Sequence, residues 1–199
     1  RYYPIQKTPS YIHDRCYETA FKIYNPAVHN REPYTKGRSL RRSPFWPREQ
    51  ELGGYFMELA GWERAHGYAS NEHLLEKYSD KVPVRENEWD NRHFWRVSNA
   101  EHLAMSEDAG MINLSHFAVY DVTGRDAEVL MEYACVATIG GDTAVGKGVY
   151  THFLDHAGGI RADLTVIRLA SDKFRVIDGA DAGNRDYIWL KRMAEDKGW

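Results

Sequence analysis

Hydrophobic positions at helical spacing mark several segments of the chain. Residues 10–24 place apolar side chains three and four positions apart, which predicts a helix with one apolar face. Ser10, following Pro9, is a suitable N-cap for this helix. The apolar stripe must pack on something, and its members are Ile12, Cys16, Ala20, Ile23 and Tyr24. Residues 47–57 begin as a short helix that Gly53 and Gly54 end. The remaining predicted helices are 71–78, 99–109, 126–135 and 184–194.

Alternating apolar and polar positions mark the strands. The predicted strands are 55–60, 116–122, 148–154, 163–169 and 174–178. A Gly158-Gly159 turn and a turn at Asp172 separate the last three, so we expect hairpins. Two hairpin strands followed by a helix favour an α+β fold with a largely antiparallel sheet. Residues 25–44 have the composition of a linker, and 70–98 form a polar, Trp- and His-rich insertion with one helix.

Composition excludes several classes of function. The 199 residues are 43% hydrophobic and 28% charged, which is typical of a globular protein with a real core. A formal net charge of -3 gives no basic field for nucleic acid or for an anionic membrane. No apolar run approaches the roughly 20 residues that a membrane-spanning helix needs. Nine histidines occur, but none has HExxH or comparable metal-site spacing, so we expect no metal site.

The two cysteines and the chain start bear on processing and compartment. Cys16 and Cys135 stand in unrelated contexts, which favours a reduced cytoplasmic or matrix protein and leaves one disulfide possible. The sequence begins at Arg1 without a charged region followed by an apolar one. We therefore expect a processed product or a fragment of a longer protein.

Catalytic motifs of the common nucleophilic and nucleotide-binding enzymes are missing. The sequence contains no GxSxG, and the glycine-rich stretch 140–148 lacks the GxGxxG spacing of a dinucleotide fold. A phosphate loop needs Ser or Thr where Gly148 follows Lys147. We interpret 140–148 as a plain loop.

One hairpin, 150–169, carries the residue of greatest interest. Asp163 starts the return strand immediately before an apolar run, so its carboxylate borders the core. If it is partly buried, it needs a hydrogen-bond donor from the protein, from water or from a ligand. Spacing alone leaves two interpretations open, a turn-capping Asp and a ligand-binding carboxylate.

Four ordered segments resemble the aminomethyltransferase (glycine-cleavage T-protein) family. They are LGGYFMELAGWERAHGY (52–68), EHLAMSEDAGMINLSHF (101–117), GKGVYTHFLDHAGGIRADLTVIRL (146–169) and DKFRVIDGA (172–180). RYYPIQKTPS (1–10) further resembles the junction at which the flavin-binding half of FAD-dependent sarcosine and dimethylglycine dehydrogenases ends. The resemblance implies a junction helix over residues 1–43 and the amino-terminal part of a T-protein-like folate-binding domain over residues 44–199, with 70–98 inserted.

The resemblance also implies a chemistry. In that family, flavin oxidises an N-methyl amine, and tetrahydrofolate captures the released one-carbon unit in the T-protein-like half. Asp163 stands at the position of the carboxylate that contacts the pterin and its reacting nitrogen. The residues that would line the same pocket are Tyr150, Thr165, Ile177, Gly179 and Phe117.

The implied partners and the alternative follow from the same family. FAD and the remaining folate-domain segments would belong to other portions of the enzyme, in the same polypeptide or in a companion chain, located in the bacterial cytoplasm or the mitochondrial matrix. Asn113-Leu114-Ser115 and Asp155 depart from the family motifs. The alternative is a non-catalytic T-protein-like scaffold or channel module that has lost folate binding.

Overall fold

A computed structural model describes residues 4–29, 32–87, 89 and 92–199. The described residues form two compact units, 4–116 and 117–199. The first contains α1 (Pro9–Tyr24), α2 (Trp46–Glu51), β1 (Gly54–Leu59), β2 (Trp62–Tyr68), α3 (Leu74–Lys77) and α4 (Trp95–Glu107). The second contains β3 (Ala118–Thr123), α5 (Ala127–Ala134), β4 (Gly148–Leu154), β5 (Ile160–Ala170), β6 (Lys173–Asp178) and α6 (Gly183–Lys197). Helices beside antiparallel sheets confirm the α+β prediction.

Helix α1 begins one residue earlier than predicted. Thr8 is the N-cap, with extended backbone angles, and its side chain makes no capping hydrogen bond. The assignment of Ser10 as the N-cap is therefore wrong, and Ser10 lies in the first turn. Pro9 explains the difference, because a proline without an N–H group is well suited to the first helical position. The helix ends at Tyr24, as predicted.

The hairpin of β1 and β2 contains a strand that the sequence pattern missed. Strand β2 includes Glu63, which is 5% exposed, at a position where a charged residue obscures the alternation of a strand. Arg38 Nε donates to Glu63 Oε1 at 2.9 Å, and the Ser39 amide donates to the same oxygen at 2.5 Å. A buried carboxylate is tolerated where such donors satisfy it. The partner lies 25 residues away, so local periodicity does not reveal it.

The helices of the first unit agree with their predictions to different degrees. Helix α2 spans Trp46–Glu51 and ends before Gly53 and Gly54, as predicted, and β1 begins at Gly54. Helix α4 begins at Trp95, four residues before the predicted start at residue 99. The region 71–78 contains only the single turn α3. A small cluster of Tyr78, Val82 and Ala100 packs α4 against this region.

The second unit is built on a four-stranded antiparallel sheet with the order β3-β6-β5-β4. One face is buried beneath α5 and α6, and its core includes Phe153, Val166 and Phe174. Strand β5 begins at Ile160, so the prediction that Asp163 starts the strand is wrong. Asp163 is the fourth residue of β5, since pairing with β4 already begins at Ile160 opposite Leu154.

None of the described helices is long and apolar enough to span a membrane. Both cysteines are free; Cys16 is exposed and Cys135 is buried.

Candidate functional site

The face of the four-stranded sheet opposite the core brings the predicted site residues together. Tyr150 on β4 pairs with Thr165 on β5, and Thr165 pairs with Ile177 on β6. Ile177 in turn pairs with Val119 on β3. Directly paired residues in antiparallel strands project from the same face, so these four side chains form one row across the sheet. Tyr150 is 62% exposed and Val119 is 55% exposed, so the row is accessible to a ligand.

Asp163 lies on this face, two residues before Thr165 on β5. Its carboxylate is exposed, and the Tyr150 hydroxyl donates to Asp163 Oδ2 at 3.3 Å. Partial desolvation raises the pKa of Tyr150, and the negative charge of Asp163 raises it further. Tyr150 therefore stays a neutral donor near neutral pH, and it holds the carboxylate toward the apolar row.

Gly179 and Phe117 lie at the same end of the sheet as Asp163. Phe117 immediately precedes the pair formed by Ala118 and Asp178, and Gly179 immediately follows it. Both residues lie just beyond the last pair of β3 and β6, next to the row that contains Tyr150 and Ile177. Phe117 is 38% exposed and Gly179 is half-buried. All six predicted residues thus lie toward one end of the four-stranded sheet.

His152 is a residue of this face that the sequence analysis did not assign to it. His152 pairs directly with Asp163, and its ring meets the ring of Tyr150 edge-on with 5.2 Å between centroids. Its position two residues after Tyr150 in a strand was the available signal, because alternate residues share a face.

A buried acidic pair supports the same end of the sheet from the core side. Asp178, the last residue of β6, is 4% exposed, and Asp186 of α6 is fully buried. Arg185 pairs with Asp186 through two hydrogen bonds of 2.7 and 2.8 Å. Asp178 Oδ1 accepts from the Gly179 amide at 2.7 Å. The pair therefore fixes the backbone from which Gly179 approaches the outer face.

Burial and the neighbouring Asp186 charge raise the pKa of Asp178 to about 7. Burial, followed by the negative charges of Asp178 and Asp186, also raises the pKa of Tyr120, whose hydroxyl is buried on the core side of β3. The acidic pair thus carries less than two full negative charges near neutral pH, since like charges in a dry site are not both stable.

The outer face of the four-stranded sheet offers a surface on which a flat ligand can bind. Aromatic and aliphatic side chains offer surface for a ring system, while the Asp163 carboxylate accepts hydrogen bonds from ring or amine N–H groups. Across the described residues, no group of three or more His, Cys, Asp or Glu side chains is arranged to hold a metal ion. The Asp163 carboxylate and the apolar row can orient a ligand and stabilise positive charge on it.

Two family models match the chain in succession. Residues 45–198 match the GCVT N-terminal domain. Residues 1–43 match the FAD dependent oxidoreductase central domain. The order agrees with the resemblance found from the motifs.

Several curated proteins are similar to this chain. The chain is 35% identical over 193 residues to 4-methylaminobutanoate oxidase (formaldehyde-forming) of Paenarthrobacter nicotinovorans, covering 96% of this chain and 22% of that protein. It is 36% identical over 99 residues to an aminomethyltransferase of Burkholderia multivorans, covering 50% of this chain and 27% of that protein. It is 30% identical over 156 residues to an aminomethyltransferase of Bordetella petrii, covering 78% of this chain and 35% of that protein. The chain thus spans between 22% and 35% of these relatives' lengths.

A solved structure has the same fold. The glycine cleavage system aminomethyltransferase T from Bartonella henselae superposes with a TM-score of 0.56 at 22% identity, over 78% of this chain and 36% of that protein. With most of its length matched by one family model, and with this fold, the chain belongs to the GCVT N-terminal domain family, preceded by a segment of an FAD-dependent oxidoreductase central domain.

Proposed function

We propose that this chain is the folate-binding portion of a flavin-dependent N-methyl amine dehydrogenase or demethylase of the sarcosine and dimethylglycine type. In this role it passes the one-carbon unit to tetrahydrofolate. The observation that carries the proposal is the row of Tyr150, Thr165 and Ile177 with Asp163 beside it on one accessible sheet face. Neither an apolar row without a carboxylate nor a carboxylate without the row would suit a pterin.

The residues of this face fit a reduced pterin. Tetrahydrofolate supplies the nitrogen that accepts the one-carbon unit. Tyr150 and Ile177 offer surface to a flat ring, and Thr165 adds a hydroxyl between them. Asp163 accepts from N–H groups of the ligand and stabilises positive charge as the carbon is transferred, which is preorganised electrostatics. Gly179 and Phe117 bound the ring at the end of the sheet.

The rest of the proposed enzyme lies in other portions. FAD would be bound by a flavin-binding half, and the folate tail by further segments of the folate domain, in the same polypeptide or in a companion chain. Residues 1–43 serve as the junction and 44–199 as the amino-terminal part of the folate domain, with 70–98 as an insertion. The named substrate of the Paenarthrobacter nicotinovorans relative, 4-methylaminobutanoate, supports an N-methyl amine as the class of substrate.

A second function is supported by the same relative. Its name describes it as formaldehyde-forming, so a member of this group releases the carbon. The corresponding proposal for this chain is a T-protein-like module without folate binding, retained as a scaffold or as a wall of an internal channel.

Replacement of Asp163 by Asn or Ala separates the two functions in the intact enzyme that carries this chain. Under the folate proposal, capture of the one-carbon unit falls by about a hundredfold to a thousandfold, the range found when one preorganised electrostatic group is removed from an active site. Flavin reduction by the amine stays unchanged, and formaldehyde accumulates in place of methylene-tetrahydrofolate. Stopped-flow absorbance of the flavin and a formaldehyde assay provide the measurements.

Asp142→Asn is the matched control. Asp142 is an exposed acid in the loop 140–148, so the control removes the same charge away from the site. The control is expected to leave capture unchanged. Reduced folate should also raise the Tm of the wild-type enzyme, because a ligand that binds the native state stabilises it. Unchanged capture in Asp163→Asn together with no folate-dependent rise in Tm would establish the scaffold function instead.

A further inference from the structure

Helix α1 has an exposed apolar face, and contacts on its other side hold the helix in place. The predicted stripe remains uncovered: Ile12 is 48% exposed, Ile23 is 70% exposed and Tyr24 is 86% exposed. Cys16 and Ala20, the other members, are exposed as well. An open groove of about 320 Å³ runs along this face. An apolar patch of this kind on a soluble unit marks an interaction surface.

Ion pairs and hydrogen bonds hold the opposite face of α1 to its own unit. Arg15 pairs with Glu58 of β1 at 2.7 Å. Glu18, which is 8% exposed, accepts from the Thr35 amide at 2.8 Å and from the Lys36 amide at 2.9 Å. Because α1 is clamped on this side, it cannot rotate the stripe inward without breaking buried polar contacts.

The segment that contains α1 identifies the occupant of the stripe. Residues 1–43 match the FAD dependent oxidoreductase central domain, whereas Glu58, to which Arg15 is paired, lies in residues 45–198, which match the GCVT N-terminal domain. A helix that belongs by sequence to the flavin side and is clamped on one face by the T-protein-like unit has its other face available to the flavin side. The match to the Paenarthrobacter nicotinovorans relative covers 96% of this chain, so it extends over both segments, and it accounts for only 22% of that protein.

We propose that the stripe of Ile12, Cys16, Ala20, Ile23 and Tyr24 is the surface through which this chain packs against the flavin-binding portion of the same enzyme. The inference rests on the proposed function for the identity of the partner. It makes α1 a two-sided connector, polar toward the T-protein-like unit and apolar toward the flavin side.

Cys16 provides a direct probe in the intact enzyme. Burial raises the pKa of Cys135 to about 12, so Cys16 is the thiol of this chain that is expected to react in the folded state. If the stripe is covered, alkylation of the Cys16 peptide, followed by mass spectrometry, is at least about tenfold slower in the native enzyme than after denaturation. A native rate equal to the denatured rate would overturn the proposal.

A photo-crosslinking residue in place of Tyr24 identifies what covers the stripe. The proposal predicts cross-links to peptides of the flavin-binding portion within one copy of the enzyme. Cross-links that join the α1 helices of two copies, with a doubled mass, would overturn it in favour of a dimer interface.

Ile12→Glu tests the energetics of the stripe against Val145→Glu. Glu has a higher helix propensity than Ile and is favourable near a helix N-terminus, so on a solvent-facing helix the change is neutral or mildly stabilising. Against an apolar partner it buries a charge, and the Tm of the intact enzyme falls by several degrees while Cys16 alkylation accelerates. Val145, 64% exposed in a loop, gives the control with no such change.

Equal behaviour of the two variants would show that the stripe faces water. The outcome is independent of the folate site, because Asp163→Asn changes carbon capture and leaves Cys16 protection as it was. Failure of the interface and failure of the folate proposal are thus separate results.

Discussion

At the scale of single residues, the fold places two carboxylates in different environments. Asp163 is exposed and held by the Tyr150 hydroxyl, so it remains available to a ligand. Asp178 lies on the core side and faces Asp186, so burial and like charge favour its protonated form. Both residues stand in the sequence as acids near strand boundaries, and only their faces distinguish them.

Asp178 gives a prediction for the pH dependence of stability. Its pKa rises from 3.8 in the unfolded chain to about 7 in the folded protein, so the folded state binds the proton more tightly. The contribution to stability is therefore complete below pH 3.8 and is lost as the pH rises toward 7, at about 1.4 kcal/mol per pKa unit.

Asp178→Asn should remove this loss, because the amide cannot ionise. We expect the difference in unfolding free energy between the variant and wild type to move in favour of the variant from pH 4 to pH 7. Urea unfolding at several pH values measures it. A difference that does not change with pH would show that Asp178 is ionised throughout this range.

At the scale of elements, the loop 140–148 shows what a sequence pattern leaves out. The glycines correctly predicted an irregular segment. The structure adds that Arg168 of β5 donates to the carbonyls of Gly141 and Thr143, at 2.7 and 3.1 Å, and to Glu128 of α5 at 2.8 Å. The loop is therefore anchored to a strand and a helix, although its own residues suggest a plain connection.

Arg168→Met should destabilise the protein by about 2 to 4 kcal/mol, because two carbonyls and a carboxylate lose a buried donor. Arg168 is 8% exposed. The matched control is Arg175→Met on the other face of the same sheet. The side chains of the Arg175–Asp121 pair are 43% and 28% exposed. Loss of this pair should lower the free energy of unfolding by less than about 1 kcal/mol.

Chemical denaturation of both variants provides the comparison. Equal losses would mean that the loop anchor contributes no more than a surface ion pair.

At the scale of the whole molecule, the two units have separate hydrophobic cores. Phe174, Met131 and Leu190 belong to the cluster of the second unit, and Tyr78 and Val82 to that of the first. The clusters share no residue, so substitutions in them should be additive in their effects on stability.

Phe174→Ala should cost about 3 to 5 kcal/mol, because Phe174 is fully buried between the sheet and its helices. Hydrogen exchange should accelerate in β3–β6, α5 and α6, and protection around Tyr78 and Val82 should stay unchanged. Val129→Ala, at a site 50% exposed on α5, is the control and should change stability by less than about 0.5 kcal/mol. Loss of protection in both units would contradict the separation of the cores.

The sequence by itself determined most elements, the α+β class and the family, because periodicity, turn residues and ordered motifs are local. It also supplied the six candidate site residues through the resemblance. Strand β2, whose second residue is the buried Glu63, escaped it because the compensating Arg38 is remote.

The tertiary structure decided which side of the sheet each residue occupies. Strand register placed Tyr150, Thr165 and Ile177 in one row, added His152 opposite Asp163, and left Asp178 in the core. It also decided that the α1 stripe points outward, because the clamp at Arg15 and Glu18 is made with residues distant in the chain. Register and long-range polar contacts depend on pairing between segments, and no single segment contains that information.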